Sequence, residues 1–139
     1  MENYFPLSEQ FTTQSEPSYC GPASLIMVLN AMQIDPERAW KGIWRWFHEE
    51  ILKCTTKEKM LLGMTLEQMT LLARCNGLHT STFSKTKSDY VSIYDEGLLE
   101  TALKATCKIP NMYMILNFGR VELEQTGSGH FSCVGGYDP

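Results

Sequence analysis

The chain has 139 residues, 43% of them hydrophobic, and a formal net charge of −4. That length suits one domain with a sizeable core and is too short for two, so residues 1–139 read as a single domain. No lysine- or arginine-rich block is present and no apolar run approaches the roughly 20 residues of a membrane span, which argues against nucleic acid and membranes as partners.

The first ten residues, MENYFPLSEQ, lack the charged-then-apolar pattern of a secretory signal. There are five cysteines, Cys20, Cys54, Cys75, Cys107 and Cys133. Their odd number, wide spacing and lack of a C-x-x-C pair argue against a disulfide framework and a zinc knuckle, and fit a reducing, cytoplasmic setting.

In chain order, residues 1–13 read as an irregular lead-in. Residues 22–33 read as a helix that is apolar on most sides, hence buried. Pro22 suits the first helical position, and Asp35-Pro36 forces an end. Residues 35–54 hold all three tryptophans, Trp40, Trp44 and Trp46; parts of this stretch read as helical, 49–52 above all, and Gly42 weakens the pattern. Packing is the favoured role for the tryptophans, ahead of a substrate wall. His48 reads as a surface residue. Residues 65–75, TLEQMTLLARC, read as an amphipathic helix with Thr65 as N-cap, Gln68 as its capping-box partner and Asn76-Gly77 as the stop. A loose strand near 78–83 and a loop follow. A helix over 96–106, a buried strand over 112–118, a turn at 127–129 and a paired strand from His130 complete the chain. Helices come first and strands later, which predicts an α+β fold with a helical part followed by an antiparallel sheet.

In QSEPSYCGPASL, Cys20 stands at the threshold of the buried helix. A thiol becomes a good nucleophile as its thiolate, and a helix N-terminus favours that form. Gly21 leaves room for a substrate carbonyl to approach. Of the three histidines, His48, His79 and His130, His130 opens a strand after a glycine-rich turn and is the best candidate base. A helix-start cysteine with a strand-borne histidine far downstream is the logic of papain-type enzymes. Gln14, across a proline turn from Cys20, is the candidate oxyanion donor. Position alone leaves inert packing open for Cys20, since buried cysteines are more often structural.

The stretches QSEPSYCGPASLIMVLNAMQIDPERAWKGIWRWFHEE and QTGSGHFSCVGGYDP resemble the N-terminal catalytic domain of phytochelatin synthase, and the resemblance runs from about Phe11 to Tyr137. It implies a papain-like fold and a γ-glutamylcysteine dipeptidyltranspeptidase acting on glutathione and phytochelatins. Cys20 matches the family's nucleophile, His130 its base and Gln14 its oxyanion glutamine. Heavy-metal ions, Cd²⁺ or Zn²⁺, would enter as glutathione thiolate complexes, with no tightly bound cofactor. Glu16 and Tyr19 flank the nucleophile, either lining a γ-glutamyl pocket or forming a solvated turn. Arg45 and Lys41 are candidates to grip a substrate carboxylate.

The sequence also departs from the family. The triad aspartate would fall beyond Pro139, and Asp138 is too close to His130 to match it. The papain-like sheet is therefore expected to be incomplete at the C-terminus, completed by a further segment or by a second copy in a homodimer. Cys54 matches one of a family cysteine pair, with Thr55 where the second would stand. It is a weak candidate metal thiol, and a free, partly buried cysteine is the favoured reading. Cys75 and His79 read as a coincidental ligand pair, separated by the helix stop. Cys133 stands where the family has proline, and strand packing is expected for it. Three functions remain open: the transferase, a γ-Glu-Cys-releasing hydrolase, and a weak or inactive copy that binds metals through its thiols.

Overall fold

The computed structural model describes residues 2–138. Five α-helices are present among them: α1 (Tyr4–Ser8), α2 (Cys20–Ala31), α3 (Lys57–Leu61), α4 (Leu66–Cys75) and α5 (Glu96–Lys108). The strands are β1 (Phe83–Ser84), β2 (Ser92–Ile93), β3 (Ile115–Gly119) and β4 (Gly129–Cys133). The fold is thus mixed helix and strand, as the order of patterns predicted. The strands do not form one antiparallel sheet. β3 and β4 pair antiparallel, whereas β1 and β2 form a separate, parallel pair. No helix among the described residues is long and apolar enough to cross a membrane.

Helix α2 is the organising element. Leu25 and Leu29 are fully buried. With Ile26 they meet Met69, Leu72 and Ala73 of α4, Phe47 and Leu52 of the intervening segment, and Phe131 of β4. On its other side Val28 and Ala31 pack on Leu7 of α1. Burial of this apolar surface, at roughly 25 cal/mol per Å², is the main force holding α2 in place.

The start of α2 corrects the sequence reading. The helix begins at Cys20, with Tyr19 as N-cap, so Pro22 occupies the third helical position and not the first. A proline is tolerated throughout the first turn, because those N–H groups have no intrahelical partner. Residues 4–8, expected to be irregular, are helical, with Leu7 buried against α2. Helix α4 forms as predicted, with Thr65 and Gln68 in a reciprocal capping box.

Two asparagines, the half-buried Asn30 and the buried Asn76, fasten the loops. Asn30 on α2 exchanges two hydrogen bonds with the backbone of Phe47 (Nδ2 to O 2.9 Å, N to Oδ1 2.8 Å). Asn76, which caps α4, accepts from Lys53 N at 2.9 Å and donates to Lys53 O at 3.1 Å. This second pairing lays residue 53 against the end of α4, so the neighbours Cys54 and Cys75 lie 6.5 Å apart at Cα and form a disulfide. The expectation of five free thiols fails here. Sequence spacing could not show that Asn76 zips the two segments together.

The tryptophans also depart from expectation. Trp44 and Trp46 are 64% and 50% exposed. Trp40 stacks on His48, with centroids 4.3 Å apart, and on Trp46 at 6.3 Å. Trp40 and Trp46 thus form a surface stack, and none of the three tryptophans belongs to the core cluster or to the cavity described next.

Candidate active site

A cavity of about 630 Å³ lies between α1, the segment leading into α2, the first turns of α2, and β4. Its wall includes Gln14, Cys20, Ser24, His130 and Cys133. Two of the candidate site residues, the helix-borne Cys20 and the strand-borne His130, are therefore brought to one cavity although 110 positions separate them. The packing of α2 on β4 does this. A Cβ built on Gly21 would sit 3.4 Å from both Met69 Sδ and Phe131 Cδ2, so the glycine lets the helix approach the strand closely. Gly21 is buried and absent from the cavity wall. Its role in the structure is helix-to-strand contact, and the expected access for a substrate carbonyl is not what it provides here.

Cys20 is half-buried and unpaired. The N-cap Tyr19 makes no side-chain hydrogen bond to the helix, and no acidic residue lies in the first turn. Among the described residues, the backbone N–H groups of Cys20 and Gly21 have no acceptor. Together with the helix dipole they form an electropositive, donor-rich end beside the Cys20 sulfur.

The loop before Cys20 is braced from two sides. Gln14 Nε2 donates to the carbonyls of Glu16 and Pro17, each at 2.9 Å, so both amide hydrogens are committed to the turn. Ser15 donates through its hydroxyl and its backbone N–H to the carboxylate of Glu49, which is only 3% exposed. The sequence reading missed Glu49; a buried carboxylate on a short 3₁₀ turn leaves no periodic signal. Tyr19 is buried and, like Glu16, is not part of the cavity wall. Burial pushes its phenol above the usual range, and the carboxylates of Glu16 and Glu49 add to this.

His130 pairs with Phe118 across the β3–β4 hairpin and meets its ring edge-on at 5.6 Å. Its Nδ1 lies 2.8 Å from Arg120 Nη2. Partial burial, followed by the Arg120 charge, lowers the imidazole pKa. Asp138 is exposed and makes no hydrogen bond to the ring.

Cys133 shows what a second thiol on the same cavity becomes without a helix start. Its Sγ donates to Ser24 O at 3.3 Å, and burial pushes its pKa up to about 12. It stays protonated and inert at neutral pH, in line with the packing role expected for it. Cys54 and Cys75 are consumed by their disulfide, so Cys54 is not a free metal thiol and Cys75 is not a ligand beside His79. Among the described residues no group of three or more His, Cys, Asp or Glu side chains is placed to hold a metal ion. Lys41 and Arg45 lie outside the cavity; Lys41 sits over Trp40 and Arg45 pairs with Asp35 at 2.7 Å.

A cysteine at an uncapped helix start and a histidine on a strand packed against that helix thus line one cavity. Comparison with known proteins supplies the class. The family model for phytochelatin synthase matches residues 1–139. The chain is 45% identical to glutathione gamma-glutamylcysteinyltransferase of Schizosaccharomyces pombe, over 99% of this chain and 32% of that protein. It is 42% identical to glutathione gamma-glutamylcysteinyltransferase 3 of Lotus japonicus, over 99% of this chain and 28% of that protein. The corresponding enzyme 1 of Arabidopsis thaliana is also 42% identical, again over 99% and 28%. The chain belongs to the phytochelatin synthase family, and it spans about a third or less of the length of these relatives.

Proposed function

We propose that this chain carries the nucleophilic centre of a γ-glutamylcysteine transferase acting on glutathione, in a papain-like pairing of helix-borne cysteine and strand-borne histidine. The observation that carries the reading is the meeting of Cys20, at the uncapped start of α2, and His130, on β4, at one cavity in a chain of this family.

The reaction follows from the groups present. The Cys20 thiolate attacks the carbonyl carbon joining the cysteine of glutathione to its glycine, forming a C–S bond. The oxyanion that develops is met by the free N–H group of Cys20. Gln14 is assigned to the same oxyanion; to reach it, Nε2 must exchange the Glu16 and Pro17 carbonyls for the substrate oxygen. The C–N bond then breaks, and His130 as imidazolium gives its proton to the departing amine of glycine. The γ-Glu-Cys thioester on Cys20 is attacked by the γ-glutamyl amine of a second glutathione or a phytochelatin, which yields its proton to His130. The product is longer by one γ-Glu-Cys unit, and Cys20 is regenerated. Cd²⁺ or Zn²⁺ belongs to the substrate, bridging glutathione thiolates, since soft thiolates favour these ions.

Product analysis tests the reading. Incubation with glutathione and Cd²⁺ is expected to release glycine and extended peptides, and Cys20→Ser and His130→Gln are each expected to abolish both. Cys107→Ser and Cys133→Ser are expected to retain most of the activity. Equal loss in all the cysteine variants would overturn the single-nucleophile assignment. Glycine release with free γ-Glu-Cys and no extension would replace transfer by hydrolysis.

A further inference from the structure

The contact between Arg120 and His130 has a fixed direction. A guanidinium has only donors and stays charged in proteins. At 2.8 Å from Nη2, His130 Nδ1 must therefore be the acceptor and carry no proton. A neutral imidazole has one proton, which then resides on Nε2.

This has a consequence for the chemistry. To form a thiolate–imidazolium pair, the Cys20 proton must pass to the ring. With Nε2 already protonated, the proton has to be accepted at Nδ1. The alternative is a change of tautomer, in which Nε2 releases its proton to solvent and Nδ1 takes one up. Both routes put a proton on Nδ1, and neither is open while Arg120 donates to that atom.

We infer that Arg120 is a positioning residue that holds His130 neutral with its proton on Nε2, and that the thiolate–imidazolium pair forms only when the guanidinium leaves Nδ1. The hairpin builds the contact. The backbone N–H of Arg120 donates to Ser128 O at 2.9 Å, and Nη1 donates to Thr126 O at 3.0 Å. A Cβ on Gly127 would lie 3.5 Å from Arg120 Cδ, so this glycine, at φ +98°, closes over the side-chain stem. The contact is also releasable. Arg120 Nε is buried with no acceptor, a donor that withdrawal towards water would satisfy.

Among the described residues, no other side chain hydrogen-bonds to the ring. The other titratable groups on the cavity are Tyr4 from α1, Cys20 from α2 and Cys133 from β4, and none hydrogen-bonds to His130. The Arg120 charge also opposes the imidazolium, in keeping with the lowered pKa of His130.

The test is NMR of the protein with ¹⁵N-labelled histidine, followed through pH, for the parent and for Arg120→Met and Arg120→Lys. In the parent, His130 is expected as the Nε2–H tautomer. In Arg120→Met its titration is expected to move up towards the ordinary histidine value, and iodoacetamide labelling of Cys20 is expected to extend to lower pH. Arg120→Lys is expected to keep part of the downward shift, through its charge. A parent that shows the Nδ1–H tautomer would overturn the inference without reliance on any variant. An unmoved His130 titration in folded Arg120→Met would overturn it equally. The consequence for thiolate formation rests on the transferase reading; the tautomer does not. Loss of glycine release with these spectra as expected would count against the transferase reading and leave the Arg120 assignment standing.

Discussion

Helices α2 and α5 are nearly equal in length, 12 and 13 residues, and are held in opposite ways. Nine residues of α2 are buried, and its N-terminus has neither a capping side chain nor an acid in the first turn. No residue of α5 is buried, and its N-terminus is capped by Asp95, which accepts from Leu98 N at 2.9 Å. α5 also carries an i,i+4 ion pair, Lys104 to Glu100, at 2.6 Å. The contrast connects stability to chemistry. A helix fixed by tertiary burial can leave its first N–H groups unsatisfied, and those are the groups placed beside Cys20. A helix without such burial commits its N-terminus to a cap, and Cys107 on it sits in the last turn, at the opposite end from the helix's N-terminal N–H groups.

The largest expected effect lies in α2. Leu29→Ala removes a fully buried side chain and is expected to cost about 2–5 kcal/mol, read by denaturant unfolding. The matching change on the half-buried Leu103 of α5 is expected to cost about 1 kcal/mol. Similar losses at both sites would show that α5 is packed as firmly as α2.

The next effect concerns the brace around α4. The Cys54–Cys75 disulfide closes a separation of 21 residues and joins two exposed positions. Its reduction is expected to lower stability by about 3 kcal/mol on the chain-entropy account. Unfolding curves with and without a reductant measure this, and Cys54→Ser should abolish the difference.

The smallest effect sharpens the role of capping. Asp95→Ala is expected to cost about 1 kcal/mol. Hydrogen exchange should show it as faster opening of α5 alone, with α2 unchanged. Acceleration in both helices would mean that they open as one unit.

Legibility followed the same divide. The capping box of Thr65 and Gln68 is a local device with a sequence signature, and α4 was read almost to the residue. The Asp95 cap is equally local, although it was not singled out. The start of α2 was misplaced by two residues because Pro22 was assigned the first helical position, when the first turn accepts proline beyond it. Helix α1 was missed because its five residues include Pro6 and lack a capping bond; it is held by Leu7 against α2, a tertiary cause. Cys20 and His130 were legible as residue types at element starts. Arg120 and Glu49 were not, since each acts through a partner that only the fold supplies. The hairpin register, with Phe118 opposite His130, is the one feature that would have placed Arg120 near that histidine.

The central claim is that Cys20 is a working nucleophile on glutathione. The direct measurement is the intact mass of the protein after incubation with glutathione, then with a reductant that strips mixed disulfides, and peptide mapping of any adduct that survives. A γ-Glu-Cys thioester on Cys20, absent in Cys20→Ser, is the expected result. A folded protein that gains no adduct, or gains it on another cysteine, would contradict it.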